Sequence, residues 1–179
     1  MSKRIHLAVL LGLLGCAEDG EYIPPPPTGV DVSGIYELTA HTRNDELCDL
    51  EGEAVPGAPY FMMSWNGQWF SYLDCDRAAA DSCYARETIG YKLSEPIEGG
   101  WERISAGGDW IQIQDERLCQ LRYAESSLLA ADGQVSLHVR VHGETVAAEA
   151  SGCLSMANDR GTTMPCLYYE VLEGNRIGD

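Results

Sequence analysis

Between Gly34 and Leu172 the apolar residues fall mostly at every second position, and turn-forming dipeptides cut the pattern into short pieces. That combination leaves few folds open. A period of two belongs to a strand with one face in a core and the other in water, and short, locally connected strands of this kind build antiparallel sheets. In Val135 to His142 the residues Val135, Leu137, Val139 and Val141 share one face, and Ser136, His138, Arg140 and His142 the other. Tyr36, Leu38 and Ala40 alternate in the same way with Ile35, Glu37, Thr39 and His41. Tyr60 to Trp65 and Gln68 to Cys75 flank Asn66-Gly67, a strong hairpin signal, and a two-residue turn there pairs Trp65 with Gln68 and Met63 with Phe70. Further strands are expected at Tyr84 to Leu93, at Trp101 to Ser105 and Trp110 to Gln114 around a turn at Ala106-Gly107-Gly108-Asp109, at Leu118 to Leu129, Thr145 to Leu154 and Cys166 to Leu172. The only helix expected is a turn or two at Arg77 to Ser82. The expected fold is therefore all-β, an antiparallel up-and-down barrel of roughly eight to ten strands, with a β-sandwich as the alternative.

The N-terminus follows another grammar. Lys3 and Arg4 precede an apolar run from Ile5 to Leu14, about half of the roughly 20 residues that a membrane-spanning helix needs and the right length for a secretion signal. Leu13-Leu14-Gly15-Cys16 resembles the lipobox of bacterial lipoproteins. The resemblance implies cleavage before Cys16, a diacylglycerol on its thiol, acylation of the new amine and attachment to the cell envelope; Ala17 in place of an Asp implies the outer membrane. The whole chain carries 28 acidic and 12 basic residues, a net charge of −16, and loss of Lys3 and Arg4 makes it −18 (10 − 28). An anionic membrane repels such a chain, so acyl chains, at about 0.8 kcal/mol per buried methylene, are the expected anchor. The same charge balance excludes a nucleic-acid partner, which requires clustered Lys and Arg. Residues 16–29 run from an acidic stretch into Pro24 to Pro27, an extended and stiff linker. Residues 30–179 then form one domain of common size.

Six of the seven cysteines lie in that domain. In an exported protein they read as three disulfides. Cys75 and Cys83 flank a short excursion between strands and are expected to pair, as are Cys153 and Cys166, which leaves Cys48 with Cys119 by elimination. No Cys-x-x-Cys pair suggests zinc.

No motif announces chemistry. His138 and His142 stand four apart on a strand, roughly 13 Å at 3.3 Å per residue, too far to share an ion. The acidic run Asp45, Glu46, Asp49, Glu51 and Glu53 lacks the spacing of a calcium loop and reads as a solvated loop. With no Gly-x-Ser-x-Gly elbow and no His-Glu-x-x-His helix, no catalytic residue, metal or cofactor is assigned. The hairpin is unusual in carrying apolar residues on both faces, with Phe61, Met63, Trp65, Phe70 and Tyr72 on one and Tyr60, Met62, Trp69 and Leu73 on the other. Phe61, Met63, Trp65, Trp69, Phe70 and Tyr72 are therefore the candidate interaction surface, since aromatic residues and Met dominate interfaces; cover by the chain's own loops is the alternative. Gly34-Ile35-Tyr36 resembles the Gly-x-Trp opening of lipocalins, with Tyr in place of Trp; the resemblance implies a barrel of this size and carries no ligand with it. The expected function is that of a non-enzymatic, lipid-anchored envelope protein that binds a small apolar ligand or an envelope protein, or acts as a scaffold. The alternatives are an exported hydrolase and a disulfide-braced protease inhibitor presenting Ala157 to Pro165.

Overall fold

A computed structural model describes residues 30–86, 88–149 and 151–178. The expected signal segment 1–15 and the linker 16–29, with Cys16, lie outside the described residues. The strands in chain order are β1 (Gly34–Asn44), β2 (Glu53–Ala54), β3 (Tyr60–Trp65), β4 (Phe70–Cys75), β5 (Cys83–Ala85), β6 (Lys92–Leu93), β7 (Glu95–Ile97), β8 (Gly100–Ile113), β9 (Glu116–Ala131), β10 (Gln134–Ala147) and β11 (Cys166–Gly178). One α-helix, α1 (Cys153–Arg160), packs beside them, and Ala80–Ser82 and Gly161–Thr163 form single 3-10 turns. All eleven strands belong to one antiparallel sheet in the order β5-β4-β3-β1-β11-β10-β9-β8-β7, with β2 paired to β1 and β6 to β4. The first long strand thus lies beside the last.

The alternation sets which face is buried. Val135, Leu137, Val139 and Val141 are each no more than 4 % exposed, and they join Tyr36, Phe61, Phe70, Trp101 and Leu172 in one core. Phe70 on β4 and Trp101 on β8 sit near opposite ends of the strand order, yet their ring centroids are 5.0 Å apart. The sheet therefore curls until its flanks touch, with the core on its concave face.

It does not close, which corrects the expected barrel. The strand path ends at β5 and β7, and no ladder joins them. The stretch expected to be one strand from Tyr84 to Leu93 is instead split: β5 and β6 both pair with β4, and residues 86–91 leave the sheet between them. There Gly90 lies so close to the sheet that a Cβ would meet Val139 at 2.6 Å, and its carbonyl accepts from the Ser126 hydroxyl at 2.6 Å. The chain then crosses to β8 through β7, whose Pro96 lacks the N–H that a continued ladder needs. The single sheet also replaces the alternative sandwich. With the barrel corrected, no membrane-spanning cylinder supports the expected outer-membrane placement: among the described residues no helix is long and apolar enough to cross a membrane, and the strands form an open sheet.

Local departures have local causes. The hairpin turns about Gly67-Gln68, because Asn66 Oδ1 accepts from the N–H groups of Gln68 (3.0 Å) and Trp69 (2.9 Å), an Asx turn. The register becomes Trp65 with Phe70 and Met63 with Tyr72, two residues from that expected, so every side chain keeps its expected face. Gly107-Gly108 is no turn but the middle of β8; a Cβ on Gly108 would lie 2.4 Å from the backbone of Cys153, so the glycine makes room for α1. The three disulfides are Cys75–Cys83, Cys48–Cys166 and Cys119–Cys153. The expected Cys153–Cys166 and Cys48–Cys119 pairs are corrected: α1 carries Cys153 back onto β9, and the curl brings the loop after β1 to the start of β11.

Candidate functional site: a buried charged network and the cleft beside it

Tyr168, Glu170 and Leu172 alternate onto the concave face of β11, so the strand's own period buries a carboxylate, and Glu170 is 1 % exposed. Phe70, Tyr72 and Asp74 do the same on β4. His41 arrives by a defect. Between Leu38 and Ala40 the β1 ladder gains one residue relative to β11, which puts His41 opposite Leu172 and turns it onto the concave face. A bulge re-aims a side chain in just this manner, and without it the alternation from Tyr36 would point His41 outward. Arg86 and Tyr91 come from the segment that crosses the concave face.

These groups form one network. The Arg86 guanidinium donates to Asp74 through Nε (2.6 Å) and Nη2 (3.1 Å), and through Nη1 to Glu170 (2.8 Å) and to the Tyr91 hydroxyl (2.9 Å). It also lies over the rings of Tyr91 and Tyr72, 4.8 and 5.1 Å from their centroids. Glu170 accepts further bonds from His41 Nε2 and the Tyr91 hydroxyl, and the Tyr72 hydroxyl donates to Asp74 at 2.9 Å. Burial alone would raise the Glu170 carboxyl, but the hydrogen bonds from His41, Tyr91 and Arg86 outweigh it and hold the pKa down at about 2. Burial and the neighbouring carboxylates push the hydroxyls of Tyr72 and Tyr91 far up, so both remain donors. His41 Nδ1 is buried without a partner, against the backbone of Gly57. A charged cluster of this kind adds little net stability over an apolar core, but each member is costly to remove singly, so it fixes where residues 86–91 sit.

Outward of Arg86 the segment leaves a cleft of about 320 Å³ against β4 and β8, a volume at the small end for ligand sites. Arg86, Lys92 and Arg103 line it, with the hydroxyls of Ser71, Thr88 and Ser105, and no described carboxylate does. Lys92 Nζ lies 4.6 Å and Arg103 Cζ 5.5 Å from the centroid of Trp69. Arg103 also borders a shallower groove with Glu95, Glu102 and Glu125. A wider, more open groove of about 440 Å³ runs past Leu129 and Gln134 to Asn175 and holds no charged network.

The hairpin residues divide between the core and the neighbourhood of the cleft. Phe61, Met63, Phe70 and Tyr72 are at most 2 % exposed and belong to the core. Trp65 is half-buried against Phe70 and Trp101, and Trp69 is half-buried beside the cleft cations. The concave face carries the side chains of the main core. His138 lies on the outer face, bonded to Tyr169 (2.7 Å) and Ser136 (3.0 Å), and burial and Arg140 lower its pKa. His142 keeps the outer-face parity of His138 in the unbroken β9–β10 ladder and is 8 % exposed because the segment after α1 covers it, with Nδ1 bonded to the Met164 carbonyl at 3.1 Å. Ala157 to Pro165, the expected inhibitor loop, is the end of α1 and a 3-10 turn, with Ala157 and Met164 buried and Thr162, Thr163 and Pro165 exposed. No group of three His, Cys, Asp or Glu among the described residues is placed to hold a metal ion. Sequence reasoning missed Arg86, Asp74 and Glu170, although a Glu at the inward parity of Leu167 to Leu172 was a readable signal. Compared with models of known families, with curated proteins and with solved structures, the chain matches none.

Proposed function

We propose that this chain is an exported protein, held at the cell envelope through Cys16, whose domain binds a small ligand in the cleft between β4, residues 86–92 and β8. The observation that carries this reading is the way one wall is fixed. Three hydrogen bonds from Arg86 pin the crossing segment to β4 and β11, so the cleft exists before any ligand arrives and little ordering entropy opposes binding. Its lining groups belong to three separate elements that only the curl brings together. The test is a thermal-unfolding screen of the full chain in detergent against organic acids, sugars, amines and lipids. A ligand at 100 times its Kd adds about 2.7 kcal/mol, and Thr88→Trp, an exposed position on the cleft wall, should abolish that gain. If no ligand stabilises the protein, or Thr88→Trp leaves the gain intact, the cleft is not the binding site.

A second reading, an exported hydrolase, has one observation in its favour. Glu170 bonds His41 through Nε2 and leaves Nδ1 unpartnered, the carboxylate–histidine pairing used in acid–base catalysis. No described hydroxyl or thiol bonds to Nδ1, so this reading still needs a nucleophile or an activated water at that atom. Ester hydrolysis by the full chain that disappears in His41→Ala would promote it over the binding reading.

A further inference from the structure

We propose that the cleft takes a small organic anion, its carboxylate or phosphate held by Lys92 and Arg103 and its apolar body against Ile89 and Ala106. The inference rests on the binding reading above and names the ligand class for that site.

Most cations near the core are already neutralised. Among the described residues Arg43, Arg77, Arg86 and Arg160 each pair with a carboxylate. Arg86 in particular is bonded to Asp74 and Glu170, so its charge is neutralised from behind the cleft. Lys92 and Arg103 pair with no described carboxylate, and each lies against the indole of Trp69. A ring quadrupole attracts a cation but does not neutralise it. Two like charges gathered at one ring repel each other, and an anion between them removes that repulsion while satisfying both. Lys92 is the only lysine after Lys3 in a chain with 28 acidic residues, yet it is placed directly opposite Ser71 in the β4–β6 ladder, facing this opening.

The neutral groups agree. The hydroxyls of Ser71, Thr88 and Ser105 line the cleft and bond to no other described group, so they remain free to donate to an oxyanion. Among the described residues, Asp74 and Glu170 behind the cleft are bonded to Arg86 and the two tyrosines. Glu95, Glu102 and Glu125 share a separate groove on the other side of Arg103 and lie outside the cleft lining. A cation entering the cleft would meet two unpaired positive charges, and a fully apolar molecule would strip water from them without return. The volume of about 320 Å³ suits a compact molecule and not a polymer.

The experiment titrates the full chain in detergent with benzoate, phenyl phosphate and benzamide at matched ionic strength, following tryptophan fluorescence and heat. Benzamide has the shape of benzoate without its charge. The expected result is saturable binding of benzoate or phenyl phosphate, at least tenfold tighter than benzamide, and weakened about tenfold by Lys92→Gln and by Arg103→Gln. Whichever anion is tighter identifies the head group. Arg117→Gln, at a cation lying over the distant Trp110, should change nothing, and an unaltered melting temperature in the Lys92 variant separates lost binding from lost folding. If benzamide binds as tightly as benzoate and Thr88→Trp abolishes both, the cleft reading stands and the anion is overturned. If none of the three binds at 10-millimolar-order concentration, or if binding ignores Lys92 and Arg103, the anion inference is overturned, and the broader screen decides the cleft by itself.

Discussion

The two ends of the curled sheet are held by different means. At the end where Val30 enters, Trp65, Phe70 and Trp101 form a ring cluster with centroids 4.9 to 6.0 Å apart, and Trp101 Nε1 donates to the Val30 carbonyl at 2.7 Å. No disulfide lies there. All three sit toward the opposite end, where β1 runs out at Asn44, β4 at Cys75, and β8 to β10 extend beyond the curl under α1. The difference follows from what each end can bury. Where the sheet touches itself, aromatic side chains supply large apolar areas. Where loops and an overhang meet solvent, the smaller cluster of Leu121, Met156, Ala157 and Met164 offers less, and cross-links restrict the unfolded chain instead.

The largest effect should come from the far end. Replacing Cys48 and Cys166 together by Ala, which opens a separation of 118 residues, should lower stability by about 5 kcal/mol. The same change at Cys119 and Cys153 (34 residues) should remove about 4, and at Cys75 and Cys83 (8 residues) about 2.5 kcal/mol. Urea unfolding of the three variants checks the order, and an order unrelated to separation would mean that native packing, not chain restriction, sets their value.

At the near end Trp101→Ala should cost about 3–5 kcal/mol, because the indole is fully buried between Phe70 and Trp65. Hydrogen exchange sharpens the contrast: protection should fall first around Gly100, Leu128 and Val135 while α1 keeps its own. Equal loss at both ends would show that the ends are one cooperative unit.

A smaller and pH-dependent effect belongs to Glu170, which lies between them. Its pKa falls from 4.5 to about 2 on folding, so its contribution is fully present above about pH 5 and is lost as the pH drops toward 2. Glu170→Gln should remove about 3 kcal/mol at neutral pH and should flatten the loss of stability between pH 5 and 2. An acid-unfolding curve that keeps its slope in the variant would move the acid sensitivity to other carboxylates.

What the sequence disclosed was parity, and what it hid was where parity breaks. The faces of β10 up to Val141 and of the hairpin could be read directly, since a period of two survives even a two-residue change of register. The bulge at Leu38 to Ala40 inserts one residue, and nothing in the residue types there marks it; His41, which it re-aims, was misplaced for that reason, whereas the shift after Val141 lies on β11 and leaves His142 at its expected parity. Gly107-Gly108 carried a turn signal for a clearance purpose that appears only when α1 is in view. The helix itself is eight residues long, too short for periodicity to separate it from a loop. The network could not be seen at all from spacing, since its members come from β1, β4, β11 and a connecting segment.

The position of β1 between β3 and β11 has a mechanical meaning. A chain tethered by its N-terminus feels tension along the strand that follows the tether, and here that strand is interior. Pulling on Val30 draws β1 lengthwise past two neighbours, loading the ladders to Tyr60 through Met63 on one side and to Tyr169 through Gly178 on the other at the same time. An edge strand would unzip one bond after another. This one must shear, so drag on the domain is borne by the middle of its sheet.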